Sequence, residues 1–456
     1  MKTVLLFLLL PVLAFTQTNI GGVLSSDTTL LLANSPYIVT NNLLVQQGKK
    51  VVVEPGVVFK FNQGIYLQVD GEFQAIGTAA DSILFTVNTA GGGTAWAGIR
   101  FTDICTNYNQ STGSGCRLDY CILEKVSDFG TTRTILVQNC IVQVSSCELR
   151  NLTADGIVVP GSGYCRIINS KIHDCTGIAI WSTDNSGGLI QGNEIFNCYS
   201  SGEAIDIGKA NFIGNYVHDI GSPLAIRVWN TSIINSNIIE NNKAAILLSG
   251  GDSHIIKCNT FNNNFINLVI TCERHPIVTN NNFLNYKDWD VLWTAQYLNY
   301  GDLDCSVPSG SGVYATIDLS NNYWGGITNA QMDSSIWDFN DDFSLKALID
   351  YSPTIPDTVD FANVNCSTIT AVNESTIKNE NVSPFPNPFS NQLTFSLAHN
   401  AQTTVSLYNF LGQQVLQQTT FTNITTLNTE QLANGIYFYQ LMNGKQIIKS
   451  GKLIKQ

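Results

Sequence analysis

One pattern returns at a fixed interval through the middle of this chain: an asparagine two residues before an apolar residue, and an asparagine or aspartate two residues after it. It reads Asn193-x-Ile195-x-Asn197, Asn215-x-Val217-x-Asp219, Asn237-x-Ile239-x-Asn241, Asn259-x-Phe261-x-Asn263 and Asn281-x-Phe283-x-Asn285, with the apolar anchors 22 residues apart. Ile172 and Leu149 extend the series backwards at intervals of 23. A unit this short has no room for two helices, because helical solenoid repeats need roughly 30 residues or more. Each unit instead holds three short strand-like runs: the anchor, a run such as 204–207 or 225–228, and a pair such as Ile233-Ile234 or Ile255-Ile256. Three strands with turns make one coil of a parallel β-helix, each coil stacked about 4.8 Å from the last. Equivalent residues then form files along the axis. Asn193, Asn215, Asn237, Asn259 and Asn281 are expected to form an amide ladder that serves the turns, a structural role rather than a binding site.

The rest of the composition fits an exported solenoid. The 456 residues exceed what one ordinary core holds, as an elongated repeat would require. Residues 1–16 combine Lys2, an apolar run from Val4 to Leu10 and Ala14-Phe15-Thr16 as a cleavage site before the polar Gln17, the layout of a signal peptide. No other segment is long and apolar enough to span a bilayer. The net charge of −12 argues against a nucleic-acid partner, which needs clustered Lys and Arg. Twelve cysteines are too dilute to frame the fold, though Cys175 and Cys198 share a position in consecutive units and Cys105 and Cys116 can close a loop. Their connectivity is left open.

After Pro356, Thr, Asn and Ser accumulate, which reads as a linker over 356–382. Beyond it, alternating runs such as Leu393-Thr394-Phe395-Ser396-Leu397 and Gly435-Ile436-Tyr437-Phe438-Tyr439 indicate a small antiparallel β-sandwich. Pro386-Asn387-Pro388, Asn434-Gly435-Ile436-Tyr437 and Lys449-x-Gly451-Lys452-Leu453-Ile454-Lys455 resemble the type A sorting domain of the type IX secretion system of Bacteroidetes, over residues 383–456. Val52-Val53-Glu54-Pro55-Gly56, Trp96-Ala97-Gly98-Ile99 and Asn321-Asn322-Tyr323-Trp324-Gly325 resemble the opening and closing coils of secreted right-handed β-helix proteins. The expected plan is therefore all-β: a signal peptide at 1–16, a right-handed parallel β-helix with its end cap at 17–355, the linker, and the sorting sandwich. The resemblance implies the type IX machinery as partner, through residues 383–456, and a secreted or outer-surface location. The body is expected to be a monomer.

Chemistry is thinner. There is no His-Glu-x-x-His, Gly-x-Ser-x-Gly, Walker loop or Cys-x-x-Cys, and neither a metal nor a cofactor is expected. Alternation along the strands puts Lys171, His173, Glu194, Phe196, Tyr216, His218 and Glu240 on the outer side of the anchor strands. A polysaccharide lyase would need a base and a cation there, and a glycoside hydrolase two carboxylates. Glu194 and Glu240, two coils apart, are separated by about 10 Å. The next strand gives a second outward file, Val158, Trp181, Asp206, Arg227, Leu247 and Val269, with Trp229 nearby; it reads as a sugar platform with a charged pair, or as a plain salt bridge. Residues 286–312 look like an excursion from the coil, carrying Trp289, Trp293, Tyr297, Tyr300 and four aspartates suited to carbohydrate, or forming a flap over the stack. Without a recognisable catalytic set, an exported polysaccharide-interacting protein is favoured over a lyase or hydrolase, and over an adhesin or scaffold.

Overall fold

A computed structural model describes residues 17–129, 133–183, 188–250, 253–271, 275–294, 315–341, 347–359, 361, 366 and, with short gaps, 383–456. The expected signal peptide lies outside the described residues. The chain divides into two units, the first ending at Cys366 and the second opening at Ser367.

The first unit is a stack of parallel coils. One wall is a sheet of eleven parallel strands in sequence order, from Thr28–Leu30 to Ile277–Thr279, each paired with its equivalent one coil away. A larger sheet forms the other two walls, one built on the anchor strands and one on strands such as Glu203–Ile207 and Leu224–Val228. Leu149, Ile172, Ile195, Val217, Ile239, Phe261 and Phe283 are register partners in succession and all are buried. The file ends in stacked rings, with Phe261 and Phe283 5.0 Å apart and Phe283 and Trp324 4.6 Å apart.

Each half of the sequence pattern has a separate physical cause. The trailing Asn or Asp (Asn151, Asp174, Asn197, Asp219, Asn241, Asn263, Asn285) occupies the left-handed region, with φ between 50° and 59°. Short polar side chains tolerate that conformation where others do not. The leading Asn turns inward. Asn215 N–H donates to Asn237 Oδ1 at 2.8 Å, Asn237 N–H to Asn259 Oδ1 at 3.0 Å, and the series runs from Ser170 to Asn322. Each Nδ2 also reaches a strand carbonyl of the previous coil, as Asn237 does to Phe212. Turn backbone that no sheet ladder can satisfy is thereby paired inside the core.

A second buried polar line closes the distal end. Asn264 donates to Asn267 at 2.9 Å and Asn267 to Asp290 at 2.7 Å. Burial pushes the Asp290 carboxyl up to about 7, despite hydrogen bonds with Asn267 and Ser335 that favour its ionised form. A raised carboxyl pKa stabilises the fold fully below the unfolded value near 4, and that stabilisation is lost as pH rises through about 7. Asp290→Asn is therefore expected to flatten the decline in stability between pH 4 and 8, by a few kcal/mol on the order of the shift; denaturant titrations at pH 5 and pH 8 measure it.

Two expectations need correction here. Trp289–Thr294 is a regular coil strand, paired with Ile266–Thr271 on one side and Ile336–Trp337 on the other, so the supposed excursion does not begin at 286. The positions 297–304 singled out in it lie outside the described residues. The linker also starts later than composition suggested. Val359 N–H donates to Asn282 Oδ1 at 2.8 Å, and Cys366 is disulfide-bonded to Cys258.

The second unit holds a three-stranded and a four-stranded antiparallel sheet that share one core, including Phe389, Leu393, Phe395, Val405, Leu407 and Leu453.

Candidate functional site

The outer side of the anchor wall carries the residues expected there, brought into two adjacent files. One runs Glu148, Lys171, Glu194, Tyr216; the other Glu124, Arg150, His173, Phe196, His218, Glu240, Asn262. These side chains are occupied with one another. Arg150 reaches Glu124 and Glu148, each at 2.9 Å, and Glu148 lies 3.2 Å from His173 Nε2. Lys171 pairs with Glu194 at 2.6 Å, and His218 stands 3.6 Å from the same carboxylate. Both imidazoles present Nδ1 to the next residue in sequence, Asp174 or Asp219, at 2.8 Å. Glu240 accepts from Tyr216 Oη at 2.5 Å and from Asn262 at 2.9 Å.

This pairing decides what the wall can do. Lys171, followed by His218, holds Glu194 below the usual carboxylate range. Burial pushes Glu148 up, but Arg150 and His173 outweigh it and leave it lowered. Glu194 raises the Lys171 ammonium, so the amine stays protonated. At neutral pH Glu148 and Glu194 are therefore ionised and Lys171 is protonated, so none of the three is a proton-donating carboxyl or a free basic amine. The rings are spent as well. His173, Phe196 and His218 stack face to face at 4.6 and 5.1 Å, with interplanar angles of 6° and 8°. Stacked neighbours cover the ring faces between them, and a sugar needs a face to pack on. Glu148, Arg150 and Glu124 were not anticipated, although Glu148 lies one 23-residue step before Lys171 in the same phase.

The second wall differs. Register places Trp181 beside Asp206 and Asp206 beside Arg227, as the spacing implied. Arg227 approaches Asp206 at 3.5 Å, donates to Ser249 at 3.1 Å, and lies 5.7 Å from the Trp229 ring. Asp206 is 5% exposed, and burial pushes its carboxyl up to about 7; Arg227 pulls it down, while Glu203 beside it pushes it up. Glu203, itself buried, escaped the sequence reading because its strand, Glu203–Ile207, is buried at every position and shows no alternation. Trp181 and Trp229 are half-buried at the rim. Beyond Arg227 the file turns apolar through Leu247, Val269 and Leu292.

The other two aromatic candidates are not part of this group. Trp293 is 3% exposed in the main core, which removes it from any surface platform. Trp289 packs edge-on to Trp337 at 5.2 Å, three coils past Arg227 and so about 14 Å away along the axis. A small hollow of about 210 Å³ lies at the distal end, between Phe283, Tyr286, Tyr323, Trp324 and Thr358, at the last coil of the anchor wall. Among the described residues no three His, Cys, Asp or Glu side chains group to hold a metal, and no helix is long and apolar enough to cross a membrane.

Comparison with known families fits this architecture. Residues 104–283 match the family described as right handed beta helix region, and residues 383–456 match the secretion system C-terminal sorting domain. This is a right-handed β-helix protein with a type IX sorting domain. The sorting domain marks proteins that the type IX system delivers to the cell surface or extracellular space, and that is the address of this β-helix. A 64-residue stretch is 34% identical to Protein bark beetle of Drosophila melanogaster, covering 14% of this chain and only 2% of that protein.

Proposed function

We propose that this β-helix is a non-catalytic extracellular protein that holds polysaccharide, with Trp181, Asp206, Arg227 and Trp229 as its contact. The contrast between the two walls carries this reading. The anchor wall occupies its charged groups with one another and covers its own rings, whereas the second wall sets two half-buried indoles and a guanidinium around one carboxyl. Indole faces and a forked cation suit sugar rings and their oxygens.

The test is a panel of neutral and anionic polysaccharides run in affinity gels with the full chain. Retardation is expected without new reducing ends and without unsaturated-uronate absorbance. Trp181→Ala and Arg227→Ala are each expected to weaken retention roughly tenfold, about 1.4 kcal/mol. Unchanged retention in both variants would remove the assignment of this contact.

One observation favours a second reading, a glycoside hydrolase. A carboxyl held near neutrality beside a second carboxyl has the makings of an acid and its partner. Products in the same assays, abolished by Asp206→Asn while retention persists, would establish that reading in place of the first.

A further inference from the structure

The chain does not leave the β-helix at its distal tip. After the closing coil it doubles back: Ile355 N–H donates to the Asn322 carbonyl at 2.9 Å, and Val359 N–H to Asn282 one coil earlier. Cys366 then reaches the turn before that, where it is bonded to Cys258 and its carbonyl accepts from Asn235 Nδ2 at 2.8 Å. The position of Cys258 is unusual for a buried thiol. It shares a turn file with Gly214, Ser236 and Asn280, all left-handed, yet Cys258 is fully buried. Cys366 is the last residue of the first unit, and everything from Ser367 onward leads to the sorting domain.

We propose that the Cys258–Cys366 disulfide is a tension bypass: pull arriving through the chain after Cys366 crosses from Cys366 to Cys258, and the chain between them carries none of it. The bond spans a sequence separation of 108, and the residues inside that loop include the last coils, the helix Asn329–Ser335 and the paired strands Ala315–Asp318 and Ala347–Asp350. Without the bond, a pull at Ser367 would open the hydrogen bonds of the returning segment one after another. It would then lift Trp324 from Phe283, strip Tyr323 from the edge of the strand Asn282–Leu284 and uncover the end of the core. With the bond, the first coil to feel the pull is the one at Cys258, held on both sides by the asparagine ladder through Asn237, Asn259 and Asn281. Forming the bond turns two thiols into one disulfide; the two electrons and two protons pass to a protein disulfide oxidant of the compartment outside the cytoplasm.

Single-molecule stretching of the full chain from its two ends tests the proposal. Oxidised protein is expected to unfold to a contour length up to about 370 Å shorter than protein in reductant, the reach of the hidden loop. The Cys258→Ser/Cys366→Ser double variant should give the long contour with or without reductant. Equal lengths for oxidised and reduced wild type would overturn the bypass. So would alkylation of both cysteines in unreduced secreted protein, which needs no variant and no folding assumption.

Discussion

Replacing Asn237 by leucine is expected to destabilise the β-helix by about 3 kcal/mol or more, although the two side chains are similar in size and leucine is the more apolar. Asn237 is fully buried and takes part in four side-chain hydrogen bonds. Its Oδ1 accepts from Asn215 N–H and Asn215 Nδ2, and its Nδ2 donates to Asn259 Oδ1 and the Phe212 carbonyl. Leucine leaves those partners in a dry interior, where each orphaned group costs about 1–3 kcal/mol. Trimming the adjacent core residue by one methyl, Ile239→Val, is expected to cost only about 1 kcal/mol. Urea unfolding of the two variants checks the ordering. If Ile239→Val proved the more damaging, the ladder would be incidental to a fold held by its apolar files.

Ending the chain after Cys366 is expected to reduce export to background while leaving the β-helix folded. The two effects separate because the second unit has a core of its own, with Phe389, Leu393, Phe395, Leu427 and Leu453 packed among its own antiparallel strands. Loss of that unit therefore removes the sorting domain without opening the β-helix core. Cell fractionation should find the truncated protein behind the outer membrane, with a thermal midpoint close to that of the body in the full chain. Truncated protein outside the cell in normal amounts would mean that residues 383–456 are not the export signal in use.

The candidate site was legible only in part, and the residues show why. Trp181, Asp206 and Arg227 were placed side by side by matching their strands, because a spacing of one coil, here 25 and 21 residues, turns into adjacency once the coil is known. Counting does not reveal what a neighbour does to a side chain. His173, Phe196 and His218 read as outward neighbours of the anchors, and adjacency is what stacks their faces against one another. Lys171 and Glu194 read as candidates on that outer side, and the same adjacency pairs them with each other at 2.6 Å. Trp293 read as a surface aromatic because the repeat pattern lapses after Asn285, removing the phase needed to tell inward from outward.

The sequence by itself determined the coil, its period, its inward files and its address, since each of these repeats or sits as a contiguous motif. Only the tertiary structure decided where the body ends. Cys258 lies in phase with the repeat and Cys366 lies outside it, so no spacing rule connects them. Their bond exists because the chain turns back along the stack, and hydrogen bonds from Ile355 and Val359 to coils already built set that reversal.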